Sequence, residues 1–192
     1  MEFFNMKKIC LLAAAVSVFA LNAQAADWSM GDHSFRPYVG ADYVYSHTKQ
    51  GGIASAAKRD YNSWMVNMGT DIGKYTSVEA FFQQAPQRKA HNAGDEIKSE
   101  FYAYGLDLYG RMPIMCSDFN ALASIGLANY NTKYKFNGTS QDKQRIGYRA
   151  GVGMSYNLTE NVSFRVMGRY SYVGMKNLDN LMEVTAGLRY TF

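Results

Sequence analysis

Residues 181–192, LMEVTAGLRYTF, separate into two sets when read with a period of two. Met182, Val184, Ala186, Leu188, Tyr190 and Phe192 fall on one face, and Leu181, Glu183, Thr185, Gly187, Arg189 and Thr191 on the other. Successive side chains of an extended strand point to opposite sides, so the pattern specifies a strand with one greasy and one polar face. A soluble half-buried strand alternates in the same way, but gives no reason for an aromatic residue to finish the apolar row. A strand whose apolar row meets lipid does, because aromatic rings gather where hydrocarbon meets water.

The same alternation recurs at 35–46, 60–73, 77–84, 99–110, 119–130, 144–156 and 162–172. In 144–156, Ile146, Tyr148, Ala150, Val152, Met154 and Tyr156 oppose Arg145, Gly147, Arg149, Gly151, Gly153 and Ser155. The weakest case is 119–130, where Leu122 falls on the polar side. Pro37 lies near the start of its strand, where a missing amide donor is tolerated, and Pro86 is expected to stop the third strand. Abundant Tyr (15) and Phe (11) with only 3 Pro favour strands throughout.

Polar connections at 47–58, 87–98 and 131–143 are long, whereas those around Lys74 and Tyr75, at 111–118 and at 157–161 are shorter. The last connection, 173–180, is of moderate length. Such alternation predicts an all-β, eight-stranded antiparallel up-and-down transmembrane β-barrel, with long loops outside and both termini periplasmic. About 10 residues tilted by about 40° cover the roughly 25 Å apolar band of such a barrel. Projected on that frame, Tyr43, Tyr45, Trp64, Tyr102, Tyr104, Tyr148, Tyr170 and Tyr172 form an outer belt. Phe35, Phe119, Tyr156, Phe164, Tyr190 and Phe192 form an inner one.

At the other end, Lys7 and Lys8 precede an apolar run from Ile9 to Leu21, then Ala23, Gln24 and Ala25. This is the order of a cleaved secretory signal, giving 1–25 as signal peptide, 26–34 as lead-in and 35–192 as barrel. Beyond it no apolar stretch is long enough to span a bilayer as a helix, so a membrane protein here has to be a barrel. Cys10 lacks the preceding small residue of a lipoprotein signal, and Cys116 is left without a cysteine partner. The formal charge of +4 becomes +3 once Glu2, Lys7 and Lys8 are removed, too little to imply a nucleic-acid partner.

The signal, the eight alternating strands, the unequal connections and the terminal Phe192 resemble the small opacity-type and outer-membrane-protein-A-like barrel superfamily over residues 35–192. The phrase Tyr38, Val39, Gly40, Ala41 is similar to the opening of that family's first strand. The resemblance implies location in the bacterial outer membrane, where Leu188, Tyr190 and Phe192 form the signal read by the insertion machinery. It also implies lipopolysaccharide and other outer-membrane lipids as surroundings. The peptidoglycan-binding domain of some relatives is not expected after Phe192.

The polar faces carry Asp42, Asp71, Glu79, Asp107 and Glu183, with Arg36, Arg145, Arg149, Arg165, Arg169 and Arg189. Acids concentrate in the first half and arginines in the last three strands, so closure sets opposite charges across the axis. Buried charges persist when paired, which predicts an ion-pair network of Asp42, Glu79, Asp107, Arg149, Arg165, Arg169, Glu183 and Arg189. The alternative is that these charges line a small porin-like conduit for ions or small solutes. An eight-stranded interior is about wide enough for side chains alone, which favours a filled core.

A lipid A-modifying enzyme is a further alternative, requiring a base, a nucleophile and an orienting acid together. His33, His47 and His91 fall in the lead-in and outer loops, with no such set on one strand face. No metal-ligand spacing or cofactor motif is present in a suitable context, so no enzyme activity, cofactor or metal is expected. The triplet Asn137, Gly138, Thr139 carries no meaning in this setting. The outer loops are rich in lysine and arginine, notably Lys58, Arg59, Arg88, Lys89, Lys133 and Lys135. Their charge suits lipopolysaccharide phosphates or anionic host surface molecules. The expected role is structural and surface-interactive: envelope integrity, with adhesion or lipopolysaccharide contact through the loops.

Overall fold

The computed structural model describes residues 28–30, 33–49, 60–92, 95–114, 118–136, 139–175 and 178–192. The signal segment 1–25, Cys10, Cys116, Lys58 and Arg59 lie outside the described residues. Of the lead-in, Trp28–Met30 forms a short strand, β1. Eight longer strands follow: β2 (His33–Lys49), β3 (Asp60–Ile72), β4 (Thr76–Asn92), β5 (Asp95–Pro113), β6 (Phe119–Phe136), β7 (Thr139–Asn157), β8 (Val162–Met175) and β9 (Leu178–Thr191).

Each strand from β2 to β9 pairs antiparallel with the next, and β9 returns to pair with β2. The sheet is therefore a closed eight-stranded up-and-down barrel with β1 appended to the start of β2. Following ladder partners once round from Tyr38 leads back to β2 at Thr48, a stagger of ten residues. Ten residues of about 3.4 Å rise against eight strands about 4.8 Å apart give a tilt of about 40° and a backbone radius of about 8 Å. A tube that narrow has room for side chains and little else.

The alternation sorts as the pattern requires. Val152, Leu188 and Tyr190 face out, while Glu79, Arg149 and Glu183 are buried inside. Both aromatic belts lie on the outer surface. At the turn end, Phe119 packs on Tyr156 with ring centroids 4.6 Å apart. At that end residues 73–75 turn the chain between β3 and β4, and 158–161 between β7 and β8. Gly73 takes a φ of 65°, a conformation only glycine adopts without strain, between β3 and β4.

At the opposite end the strands run further than expected. Residues 87–98 and 131–143, read as loops, are mostly strand: β4 continues to Asn92, β5 starts at Asp95, β6 reaches Phe136 and β7 starts at Thr139. A ladder is held by backbone hydrogen bonds and needs no apolar row, so it persists where the period-two hydrophobic signal vanishes. Pro86 does not end β4 either. It lies in a bulge where the register shifts between Ala85 and Arg88, which absorbs the missing amide donor.

Pairing of β3 with β4 stops at Trp64↔Gln84, and that of β7 with β8 begins at Tyr148↔Tyr172. Beyond those rungs β4, β5, β6 and β7 continue together as a four-stranded sheet standing past the rim. Among the described residues, the outer stretches of β4 and β7 have no neighbour on their far sides.

Candidate functional site

The enclosed axis holds a stack of polar layers. Nearest the turns, Asp71 accepts from Arg111 Nη2 at 2.7 Å and from Arg189 Nη2. The Arg189 guanidinium lies over the Tyr38 ring, 3.6 Å from its centroid. Above it, Arg165 donates through Nε and Nη2 to Asp42, at 2.9 and 2.7 Å. Its Nη1 and Nη2 also donate to Glu79, at 2.6 and 3.0 Å. Tyr38 and Tyr109 hydroxyls donate to the same Glu79 carboxylate, and Asn67 Nδ2 to Asp42. One guanidinium fork thus ties three walls of the barrel, β2, β4 and β8.

Further out, Arg149 pairs with Asp107 at 2.6 Å and lies over the Phe81 ring. Close approach sets two glycines here. A Cβ on Gly126 would run into the Asp107 carboxylate, and one on Gly187 into that of Asp42. Glu183 accepts from Ser46 Oγ at 3.1 Å and from Gln83 Nε2 at 2.8 Å. Around this level sits an apolar cluster of Val44, Met65, Phe81, Ala103, Ala128, Tyr130, Val173 and Leu181.

Of the charged residues expected in the lumen, Asp42, Glu79, Asp107, Arg149, Arg165 and Arg189 come together in ion pairs. Arg169 and Glu183 are buried and are ladder partners, yet form no ion pair with each other. Arg169 instead donates to the Tyr109 hydroxyl at 2.6 Å and to Met65 Sδ at 3.7 Å. Arg36 and Arg145, placed with the lumen set on alternation, are exposed near the barrel's ends, where that face meets solvent. Leu188 and Tyr190 face outward, and Phe192 packs edge-on against Tyr190 at 5.2 Å. Arg88, Lys89, Lys133 and Lys135 lie on β4 and β6 beyond the rim.

Three features went unread in the sequence. Arg111 falls in the 111–118 connection expected from sequence, yet it continues the inward parity of Asp107 and Tyr109 on β5. The Tyr38 and Tyr109 hydroxyls are part of the charge network. The apolar layer has no local signal, because its eight members are spread over seven strands, two on β6 and one each on β2 to β5, β8 and β9.

With Arg111 included, five buried or half-buried guanidiniums face five carboxylates, so the inner wall is electrically balanced. A cavity of about 420 Å³ at the turn end, lined by Asp71, Tyr109, Arg111, Arg165 and Arg189 among others, stops below the Arg165 layer. Among the described residues no group of three His, Cys, Asp or Glu side chains could hold a metal ion.

A closed barrel, greasy outside with two aromatic belts and charged inside, is a transmembrane barrel. Residues 11–192 match the family described as outer membrane protein beta-barrel domain, and the chain belongs to that family. It resides in the bacterial outer membrane. An uncharacterised protein of Coxiella burnetii is 23% identical over 97% of this chain and 100% of its own.

Among solved structures, Neisserial surface protein A (NspA) is similar with TM-score 0.62 and 20% identity, covering 82% of this chain and 97% of that one. The attachment invasion locus protein Ail of Yersinia pestis follows at 0.56 and 14%, covering 85% and 100%. The N-terminal barrel domain of Pseudomonas aeruginosa OprF gives 0.59 and 14%, covering 81% and 97%.

Proposed function

We propose that this chain is a non-enzymatic, non-conducting barrel that strengthens the envelope and makes surface contacts through the sheet beyond its rim. The observation that carries this reading is the continuation of β4–β7 past the last rungs of β3 and β8. Only these four strands extend so far among the described residues, and they bring Arg88, Lys89, Lys133 and Lys135 out with them. Cations carried on such an extension suit anionic surfaces such as lipopolysaccharide phosphates or sulfated host glycans. Ail of Yersinia pestis has been solved in complex with the heparin analogue sucrose octasulfate, a ligand of that chemistry. In this reading the extended end faces outside, the termini are periplasmic, 1–25 is removed on export, and Leu188, Tyr190 and Phe192 address the insertion machinery.

The alternative of a conduit has the turn-end cavity in its favour, but the Arg165 layer and the apolar cluster lie across the path. The test is salt-dependent binding of the refolded protein to heparin. Changing Arg88, Lys89, Lys133 and Lys135 together to glutamine should weaken it at least about tenfold at low salt, since each cation lost removes one screened contact. Unchanged affinity would sink the surface-contact reading.

A further inference from the structure

The charge balance of the inner wall is not kept layer by layer. Arg165 alone faces Asp42 and Glu79, whereas at the turn end Arg111 and Arg189 share the single carboxylate of Asp71. Both spend only Nη2 on it and make no other side-chain hydrogen bond among the described residues. A guanidinium has five N–H donors, so each keeps several to offer. The layer is one positive charge in excess, and it borders the cavity of about 420 Å³ below Arg165. Buried Ser77 and Ser155 line the same cavity.

The mouth has the opposite sign. Asp118, just before β6, and Glu160, in the 158–161 turn, are exposed, line the cavity and form no ion pair among the described residues. Arg36, the ladder partner of Asp71, also lines it, is exposed and is likewise unpaired among them. Two acids against one cation leave the mouth one charge negative, while the wall inside is one charge positive. A simple anion is attracted by the wall and opposed at the mouth. A molecule with a carboxylate and an ammonium side by side meets the favourable sign at both places, whereas a doubly charged phosphate exceeds the single cation in surplus.

We propose that the turn-end cavity binds one small amino acid as its zwitterion. The carboxylate accepts from Arg111 and Arg189, and the ammonium donates to Asp118 and Glu160. Charge-assisted bonds to the two guanidiniums are the strong contacts, and those to the exposed acids the weaker ones. The volume falls at the small end of ligand pockets, which run from about 300 to about 1,000 Å³. The Arg165 layer closes the floor, so the site needs no open lumen. It lies at the end of the barrel away from Arg88, Lys89, Lys133 and Lys135, so its test and the heparin test can fail separately.

The experiment titrates the full chain, refolded in maltoside micelles, with alanine, propionate and ethylamine while backbone amide NMR signals are followed. Alanine is expected to shift the signals of Ser77, Arg111, Asn161 and Thr191 saturably, with propionate at least about fivefold weaker, the scale of exposed charge pairs. Ethylamine should shift none of them. Arg111→Gln should weaken alanine binding at least about tenfold, as loss of a hydrogen bond to a charged group does. Asp118→Asn with Glu160→Gln alters exposed side chains only, and should bring alanine down to the level of propionate while leaving propionate no weaker. Lys74→Gln, at the same end but outside the cavity, should change nothing. Equal affinity for alanine and propionate in the unmodified protein, or undiminished alanine binding in the double variant, would overturn the proposal. So would the lack of any saturable shift with alanine.

Discussion

Arg165 shows how much of the barrel's stability depends on one side chain. It is the cation for both Asp42 and Glu79, each nearly free of solvent. Removing one partner of a buried pair leaves uncompensated charge, and here two carboxylates are stranded at once. Arg165→Met should destabilise the barrel by about 3–5 kcal/mol, read as a lower urea midpoint for unfolding from vesicles. Adding Asp42→Asn and Glu79→Gln to that variant should recover much of the loss; no recovery would mean that the charges are not its source. Gly187→Ala tests the same layer from the backbone side, because the new methyl would meet the Asp42 carboxylate and the Ala41 carbonyl. A cost of about 1–3 kcal/mol is expected, typical of overpacking, with the midpoint again the readout.

At this scale the alternation told which side chains face the axis, but not which would pair. Arg169 and Glu183 both belong to the expected network, and the register opposes them on neighbouring strands. The Tyr109 hydroxyl, held by Glu79, takes Arg169 instead, while Ser46 and Gln83 take Glu183. Partner choice in a curved core depends on side-chain direction across the lumen, which a period of two does not encode.

Among the elements, strands within the bilayer were legible and their outer extensions were not. The reason is residue type: Val152 is exposed on the outer face and Arg149 is buried in the core, so the two rows differ, whereas 87–92 and 139–144 carry almost no apolar residue in either row. The extensions make a specific claim about hydrogen exchange. Between Thr139 and Gly147, β7 is paired to β6 alone among the described residues, so every second backbone amide there has no ladder acceptor among them. Those amides should exchange within minutes, while both sets between Tyr148 and Tyr156 stay protected. Uniform protection along β7 in an NMR exchange series would place another strand on that edge. Pro86 and the adjoining bulge guard the β4 side, a common way of blocking further pairing. No proline or register shift guards β7, which is paired regularly with β6 from Phe119↔Tyr156 to Phe136↔Thr139.

For the whole molecule, the stagger of ten over eight strands settles the width, and the width settles what can pass. Two seals of different chemistry lie in series. The Arg165 fork closes the polar half, and the cluster around Phe81, Met65 and Tyr130 closes the half above it. In planar bilayers the unmodified barrel should give no stable single-channel openings. Arg165→Ser alone should still conduct nothing, because an ion passing that layer would meet an apolar constriction with little to solvate it. Phe81→Ala with Tyr130→Ala should also stay closed, since the carboxylate and guanidinium layer remains bonded across the tube. Only the triple variant should open, with steps that are brief and small for a pore of about 8 Å backbone radius. Openings from the unmodified protein, or from either seal broken singly, would show that the lumen is already continuous and would revive the conduit reading.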